Sequence, residues 1–257
     1  MDITCIMPVK DNEKIIEVAL RSLLAGLWEC GRTYELLIVD DSRHDRTEEK
    51  VYEVLDDLWR TTTGDVDYHR VPQCTIGAKY NYGVAHSTGE YIFQCDSDDV
   101  YPTDKFEIQC KALDDGFDLS CTNLGARWID LRDPEKRVFE IVKNHHPMKT
   151  NQGGTAAYTR TVFERMGGLE DITKGSDCAL GDALLKLDDV KASYITDKSY
   201  LNHHFGVDGH GGNLWKSKEY RWDKYNGYFK QVPSVRWDEL IAPEYLKVFE
   251  EILDENG

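Results

Sequence analysis

The chain is short of positive charge and has no long apolar run. It carries 31 Lys and Arg against 47 Asp and Glu over 257 residues, a formal net charge of −16. A field of that sign repels duplex nucleic acid and anionic membrane surfaces, so neither is expected as a partner. No stretch approaches the ~18 consecutive apolar residues that a membrane-crossing helix needs. Cys pairs at metal-site or redox spacing are also missing, since Cys5, Cys30, Cys74, Cys95, Cys110, Cys121 and Cys178 all stand singly. Several fall inside apolar runs, as small buried hydrophobes do. Nothing basic and then apolar precedes the first strand-like segment, and the expectation is a cytoplasmic chain of a reducing compartment. In so acidic a protein an anionic ligand has to be held by a local device, a metal ion or a helix N-terminus.

What is present is an alternation. Residues 3–9, ITCIMPV, form a short apolar run that suits a strand covered on both faces. Over residues 13–27 the apolar Ile16, Leu20, Leu23, Leu24 and Leu27 recur at helical spacing, with Gly31 as a stop just beyond. A second strand at 34–39 runs into Asp40 and Asp41, and a helix of about fifteen residues starts at Glu48. A short strand near 67–71, a helix over 77–86 and a strand over 90–93 follow. That order indicates right-handed parallel βαβ units. Beyond about Phe117 the alternation weakens to a helix near 161–166, an amphipathic stretch over 177–187, and a tail from Leu214 read as helical. The chain is expected to be one compact body with a first half at 1–117, a second at 118–215 and a tail at 216–257.

Two acidic clusters end two of these strands: Asp40-Asp41, and Asp96-Ser97-Asp98-Asp99. Open α/β sheets bind ligands beyond the C-terminal ends of their strands, where both clusters fall. Two carboxylates spaced as Asp96 and Asp98 can address one hard cation, Mg²⁺ or Mn²⁺, able to neutralise charge on a departing diphosphate. The plainer alternative for Asp40 is a turn cap made by local hydrogen bonds.

Three strings in order carry a resemblance: CIMPVKDNEKIIEVALRSLLAG, ELLIVDDSRHDRT and GAKYNYGVAHSTGEYIFQCDSDDVYP. They resemble the opening blocks of family 2 glycosyltransferases and cover roughly the first 105 residues. The resemblance implies a GT-A fold, with a Rossmann-like, mostly parallel sheet flanked by helices and a smaller acceptor-side subregion. It implies an inverting transfer from a nucleoside-diphosphate sugar, commonly a uridine diphosphate (UDP) sugar, to an acceptor hydroxyl of a carbohydrate or another molecule. By position, Pro8 and its backbone would lie against the nucleoside, Asp41 would hydrogen-bond the base, Asp96 would meet the ribose or the metal, and Asp98 would ligate the metal. Two positions depart from the family: Lys10 stands where an aromatic residue is common, and Tyr80 where an Arg often precedes the Asn. Lys79 is then the candidate cation near the phosphates, and an ordinary solvated helix residue is its structural alternative.

In the second half, Gly167-Gly168-Leu169 resembles the turn before the family's catalytic acid, and GSDCALGDALLKL follows it with Ser176 in place of Glu. Asp177 is the candidate base, Asp182 is its rival, and a helix N-cap is the structural alternative for Asp177. In NHHFGVDGHGGN, His210 is the candidate for metal or diphosphate, with His204 second. A nucleotidylyltransferase of related architecture fits less well, because no Gly-rich, Arg-bearing phosphate loop follows the first strand. A carbohydrate-binding or assembly subunit that kept the fold and lost the chemistry is the non-enzymatic alternative, which Ser176 and Tyr80 favour.

Overall fold

The computed structural model describes residues 1–13, 16–58, 64–99, 101–122, 124–128, 138–144, 153–172, 183–184, 186–195 and 229–232. The first half alternates as its apolar pattern predicts. Strand β1 (Ile3–Val9) leads to α1 (Ile16–Cys30), β2 (Tyr34–Asp40) to α2 (Arg46–Leu58), β3 (Asp65–Arg70) to α3 (Ile76–Ala85), and β4 (Tyr91–Gln94) to α4 (Lys105–Asp114). Then come β5 (Leu119–Thr122), β6 (Leu124–Trp128), β7 (Val138–Asn144), a 3₁₀ turn at Gly153–Thr155, β8 (Ala156–Thr159), α5 (Arg160–Arg165), β9 (Ala192–Ile195) and β10 (Phe229–Val232).

Seven strands form the main sheet in the order β3-β2-β1-β4-β8-β5-β9. Its pairs are parallel except those made by β8, which runs antiparallel to both β4 and β5. β1 sits between β2 and β4, and every one of its residues is buried. Helices cover both faces, which is why its sequence is a continuous apolar run rather than an alternating one. Ile3, Cys5, Met7 and Val9 join the layer made by α1, α2 and α4, whereas Ile6 packs with Tyr80 and Val84 of α3 and with Val162 and Phe163 of α5.

α1 buries Leu20, Leu23, Leu24 and Leu27 on one stripe. Each contributes about 1.5–3 kcal/mol by leaving water. The helix ends at Gly31, whose φ of +68° is the left-handed conformation that a side chain disfavours. β1 to β4, α1 to α3 and α5 begin and end within a few residues of the positions read from the sequence. Within the tail read as helical, however, Phe229–Val232 is a strand paired antiparallel with β7, in a second sheet of order β10-β7-β6. Pairing with a partner strand overrides the local preference of so short a segment.

Candidate functional site

The C-terminal end of β1 is the point where strand order reverses, with β2 on one side and β4 on the other. The two acidic clusters therefore flank it. Beyond β1, Asp11 takes a left-handed backbone (φ 49°), which short polar residues tolerate. Its amide donates to Ser42 Oγ (2.7 Å), and its carboxylate accepts from the Arg43 amide and Nε (2.9 Å each). The loop after β1 is thus bound to the loop after β2. On the other side, Asn12 Nδ2 donates to Ser97 Oγ, fastening the same loop to the turn after β4.

Asp40 and Asp41 are both buried. Asp40 caps its own turn by accepting from the Ser42 amide (2.7 Å), and its second oxygen accepts from the Tyr68 hydroxyl. Asp41 is the more heavily engaged. Lys79 Nζ lies 2.6 Å from its Oδ1 and also donates to the Val9 carbonyl (2.9 Å). The Cys74 amide donates to Oδ2 (3.2 Å), and Lys10 Nζ stands 3.6 Å from the same oxygen. Burial alone would raise the Asp41 pKa, but the bond and charge of Lys79, with the Cys74 amide and Lys10, hold it below the ordinary carboxylate value. Lys79 is therefore an internal cation, only 4% exposed.

The turn after β4 is of a different kind. Asp96 and Asp98 are half-buried, while Ser97 and Asp99 are buried. The Tyr80 hydroxyl donates to Asp96 Oδ1 (3.0 Å), and the Tyr101 hydroxyl donates to the Asp96 carbonyl (2.7 Å). Tyr80 fills the place where the resemblance expected an Arg on the preceding helix. Burial, then the nearby Asp96 charge, pushes its phenol well above its ordinary pKa, so it stays a neutral donor. Beneath the turn, buried Lys105 donates to Gln109 Oε1 (2.7 Å), and burial pushes its pKa down to about 8 against the opposing pull of Cys95 and Asp99.

α3 connects this edge to the second half. Asn81 Nδ2 donates to the Leu169 carbonyl and its Oδ1 accepts from the Leu169 amide, both at 2.8 Å, so one side chain holds the backbone after the Gly-Gly turn. Gly168 (φ +80°) is required there, because a Cβ would lie 2.6 Å from Asn81 Oδ1. Thr75 caps α3 by accepting from the Ala78 amide, and its hydroxyl donates to Asp171. The segment that leads toward Asp177 in sequence thus starts from a fixed point beside α3.

Pro8, Asp41, Lys79, Asp96 and Asp98 converge around the end of β1. Pro8 is buried in the part of β1 that has outrun β4, whose pairing stops at Ile6–Gln94. Asp177, Asp182, His204, His210 and Ser176 lie outside the described residues. Among the described residues no group of three or more His, Cys, Asp and Glu side chains is arranged to hold a metal. Two half-buried carboxylates nonetheless suit a hard cation that keeps several waters, as Mg²⁺ does. Sequence reading did not find the Tyr80–Asp96 tether, the Asn81 clamp or the Tyr68–Asp40 bond. Asn81 alone carried a signal, in its Asn-x-Gly spacing.

An open pocket of about 690 Å³ lies at the opposite end of the sheet, between α3 and α5, lined by Val84, Ser87, Arg160 and Phe163 among others. The Arg160 guanidinium is already spent on the Gly89 and Val84 carbonyls and the Ser87 and Thr4 hydroxyls. Size alone does not make it the ligand site, since it borders the N-terminal strand ends. No described helix is long and apolar enough to cross a membrane.

The sequence matches the family model for glycosyl transferase family 2 over residues 4–168. It is similar to an uncharacterized glycosyltransferase of Rickettsia conorii, 27% identical over 187 residues, covering 69% of this chain and 29% of that protein. An uncharacterized glycosyltransferase of Rickettsia felis matches with the same identity and coverage, 29% of its length, so the chain spans less than a third of these relatives. Among solved structures, the mannosyltransferase PcManGT from Pyrobaculum calidifontis, in complex with GDP-Man and Mn²⁺, superposes with a TM-score of 0.62 at 19% identity, covering 83% of this chain and 59% of that one. S. aureus TarS 1-349 in complex with UDP-GlcNAc gives a TM-score of 0.61 at 16% identity, with 82% and 60% covered. At such identities the likeness is one of fold.

Proposed function

The chain belongs to glycosyl transferase family 2 and has the GT-A fold, and from that premise we propose that it moves a sugar from a UDP-sugar donor to an acceptor hydroxyl with inversion and with the help of Mn²⁺ or Mg²⁺. The observation that supports this reading best is the pair of carboxylate clusters on either side of the end of β1, one buried and ion-paired, the other half-exposed. In this reading the nucleoside lies over Pro8 and the base meets Asp41. Asp96 and Asp98 hold the cation, and His210, or His204 in its place, completes its shell or meets the diphosphate. The cation, when bound, neutralises negative charge on the diphosphate leaving group.

The chain's own residues do the rest. Asp41 is held ionised by Lys79 and is fixed in place, so it presents an acceptor to the base without reorganising. The Tyr80 hydroxyl orients Asp96 from below. The Asn81 clamp holds the backbone that leads to Asp177. The Asp177 carboxylate removes the proton from the acceptor hydroxyl while that oxygen bonds to the anomeric carbon. The bond from that carbon to the diphosphate oxygen breaks, its electron pair leaves with the nucleoside diphosphate, and the anomeric configuration inverts.

The experiment is a panel of nucleotide-sugars scored by thermal shift and by release of nucleoside diphosphate, with and without Mn²⁺. UDP-sugars are expected to raise the melting point and to be slowly hydrolysed only with the metal. Stabilisation by GDP-sugars alone would reassign the base. Binding without hydrolysis or transfer would favour the non-catalytic alternative, to which the Tyr80 departure gives some weight. Asp177→Asn is expected to cut transfer by about a hundredfold or more with donor affinity nearly unchanged. Normal turnover in that variant with a large loss in Asp182→Asn moves the base to Asp182.

A further inference from the structure

Helices α1 and α4 lie side by side and run in the same direction, and their contacts keep an almost constant offset. Near the start, the Tyr101 amide donates to Ser22 Oγ (3.1 Å). One turn on, the Phe106 ring presses so closely on Gly26 that a Cβ there would stand 2.9 Å from Phe106 Cδ2. At the far end the Arg32 guanidinium is paired with the Asp114 carboxylate. Between those two contacts, one helical turn past Gly26 and one past Phe106, fall Cys30 and Cys110. Cys30 is the last residue of α1 and half-exposed, Cys110 is buried within α4, and the two thiols are neighbours.

We propose that Cys30 and Cys110 form a modification site, a dithiol that a small-molecule disulfide oxidises to an intramolecular disulfide joining α1 to α4. The Cys30 thiolate attacks one sulfur of the reagent, the reagent's S–S bond breaks, and its other half leaves as a thiolate that takes up a proton. Cys110 then loses its proton, its sulfur attacks Cys30 Sγ, and the second half of the reagent leaves. One disulfide is reduced to two thiols and the two protein thiols are oxidised.

The surroundings assign the roles. The neighbouring Cys110 thiol lowers the Cys30 pKa and outweighs burial, helped by the charge and backbone amide of Arg32 and opposed by Glu107. Cys30 in turn, with burial, raises Cys110. Cys30, half-exposed, is the thiol a reagent reaches first and is the attacking one, and Cys110, buried, is the resolving one. Cys5 and Cys95 are also neighbours, but both are wholly buried, so no reagent reaches them. Cys74 is exposed, but Asp41 is its charged neighbour and raises its pKa after burial does.

The test is incubation of the native full chain with oxidised glutathione, followed by non-reducing digestion and peptide mass mapping. The expected result is a Cys30–Cys110 cross-linked peptide that dithiothreitol removes. Cys110→Ser, or Cys110→Ala if the first variant folds poorly, is expected to stall with one glutathione on Cys30. Cys30→Ser is expected to leave Cys110 unmodified. The proposal is overturned if Cys30 in the native wild-type chain keeps its glutathione without cross-linking, or if both thiols stay untouched while Cys74 is glutathionylated.

Discussion

The two acidic clusters on either side of β1 have similar composition and opposite construction. The Asp40–Asp41 side is closed: its carboxylates are buried and engaged by Tyr68, the Ser42 and Cys74 amides, and the ammonium groups of Lys79 and Lys10. The Asp96–Asp98 side keeps two carboxylates half-exposed on a turn whose backbone is fixed from below by Tyr101, with Ser97 held by Asn12. A buried carboxylate with a buried cation is fixed in the wall, whereas a half-exposed one on a pinned turn reaches the surface. Burial, rather than the count of Asp residues, separates the two clusters.

The sharpest test of that contrast is Asp98→Ala. It is expected to reduce transfer by a factor on the order of a thousand and to abolish Mn²⁺-dependent stabilisation by nucleoside diphosphate, since the leaving group loses its electrostatic partner. The melting point of the ligand-free protein should barely move, because a half-exposed turn residue is typically worth within about 0.5 kcal/mol. A large loss of stability here would break the comparison.

Lys79→Met is expected to do the reverse. It leaves Asp41 buried with its main counter-charge gone, which typically costs about 3–5 kcal/mol, to be read by urea unfolding. Restoring neutrality with Asp41→Asn in the Lys79→Met background should recover part of that loss, and a double-mutant cycle measures the coupling.

A smaller effect is the pH dependence. The folded pKa of Asp41 is held below its unfolded value of about 3.9, so its contribution to stability is present above that value and is lost as pH falls below it toward the folded pKa. The stability gap between wild type and Asp41→Asn should narrow on acidification through that range. A gap independent of pH would show that Asp41 gains nothing from its ionised form.

The smallest effect is expected for Tyr80→Phe, which removes only the hydroxyl that meets Asp96. A cost of about 1 kcal/mol in stability is expected, with donor affinity in Mn²⁺ weakened several-fold. An unchanged affinity would mean that Asp96 needs no tether.

Much of the fold was legible in the sequence because a central parallel strand buried on both faces writes itself as an uninterrupted apolar run. β1, β2 and β4 read that way, and α1 shows a clean apolar stripe. β8 was not legible: AAYT is a short segment of mostly small residues, and its place between β4 and β5 is set by partners distant in sequence. α4 was passed over because its burial includes Lys105, Gln109 and Cys110, which do not advertise a core face. At the site, strand ends placed Asp41, Asp96 and Asp98 from local pattern alone. The link from Lys79 to Asp41 spans two elements and shows only when α3 lies against β1.

The reversed strand also governs the order in which this sheet can be assembled. β3, β2, β1 and β4 can pair as soon as residues up to 94 have emerged, because each finds its neighbour within the chain already made. β5 has no such neighbour, since its ladder toward β4 runs through Ala156–Thr159. During synthesis β4 therefore stands as an open edge for roughly sixty residues, about 3–12 seconds at ordinary elongation rates. In that interval the nascent chain displays the unpaired outer edge of a largely apolar strand, YIFQ, to whatever surrounds it.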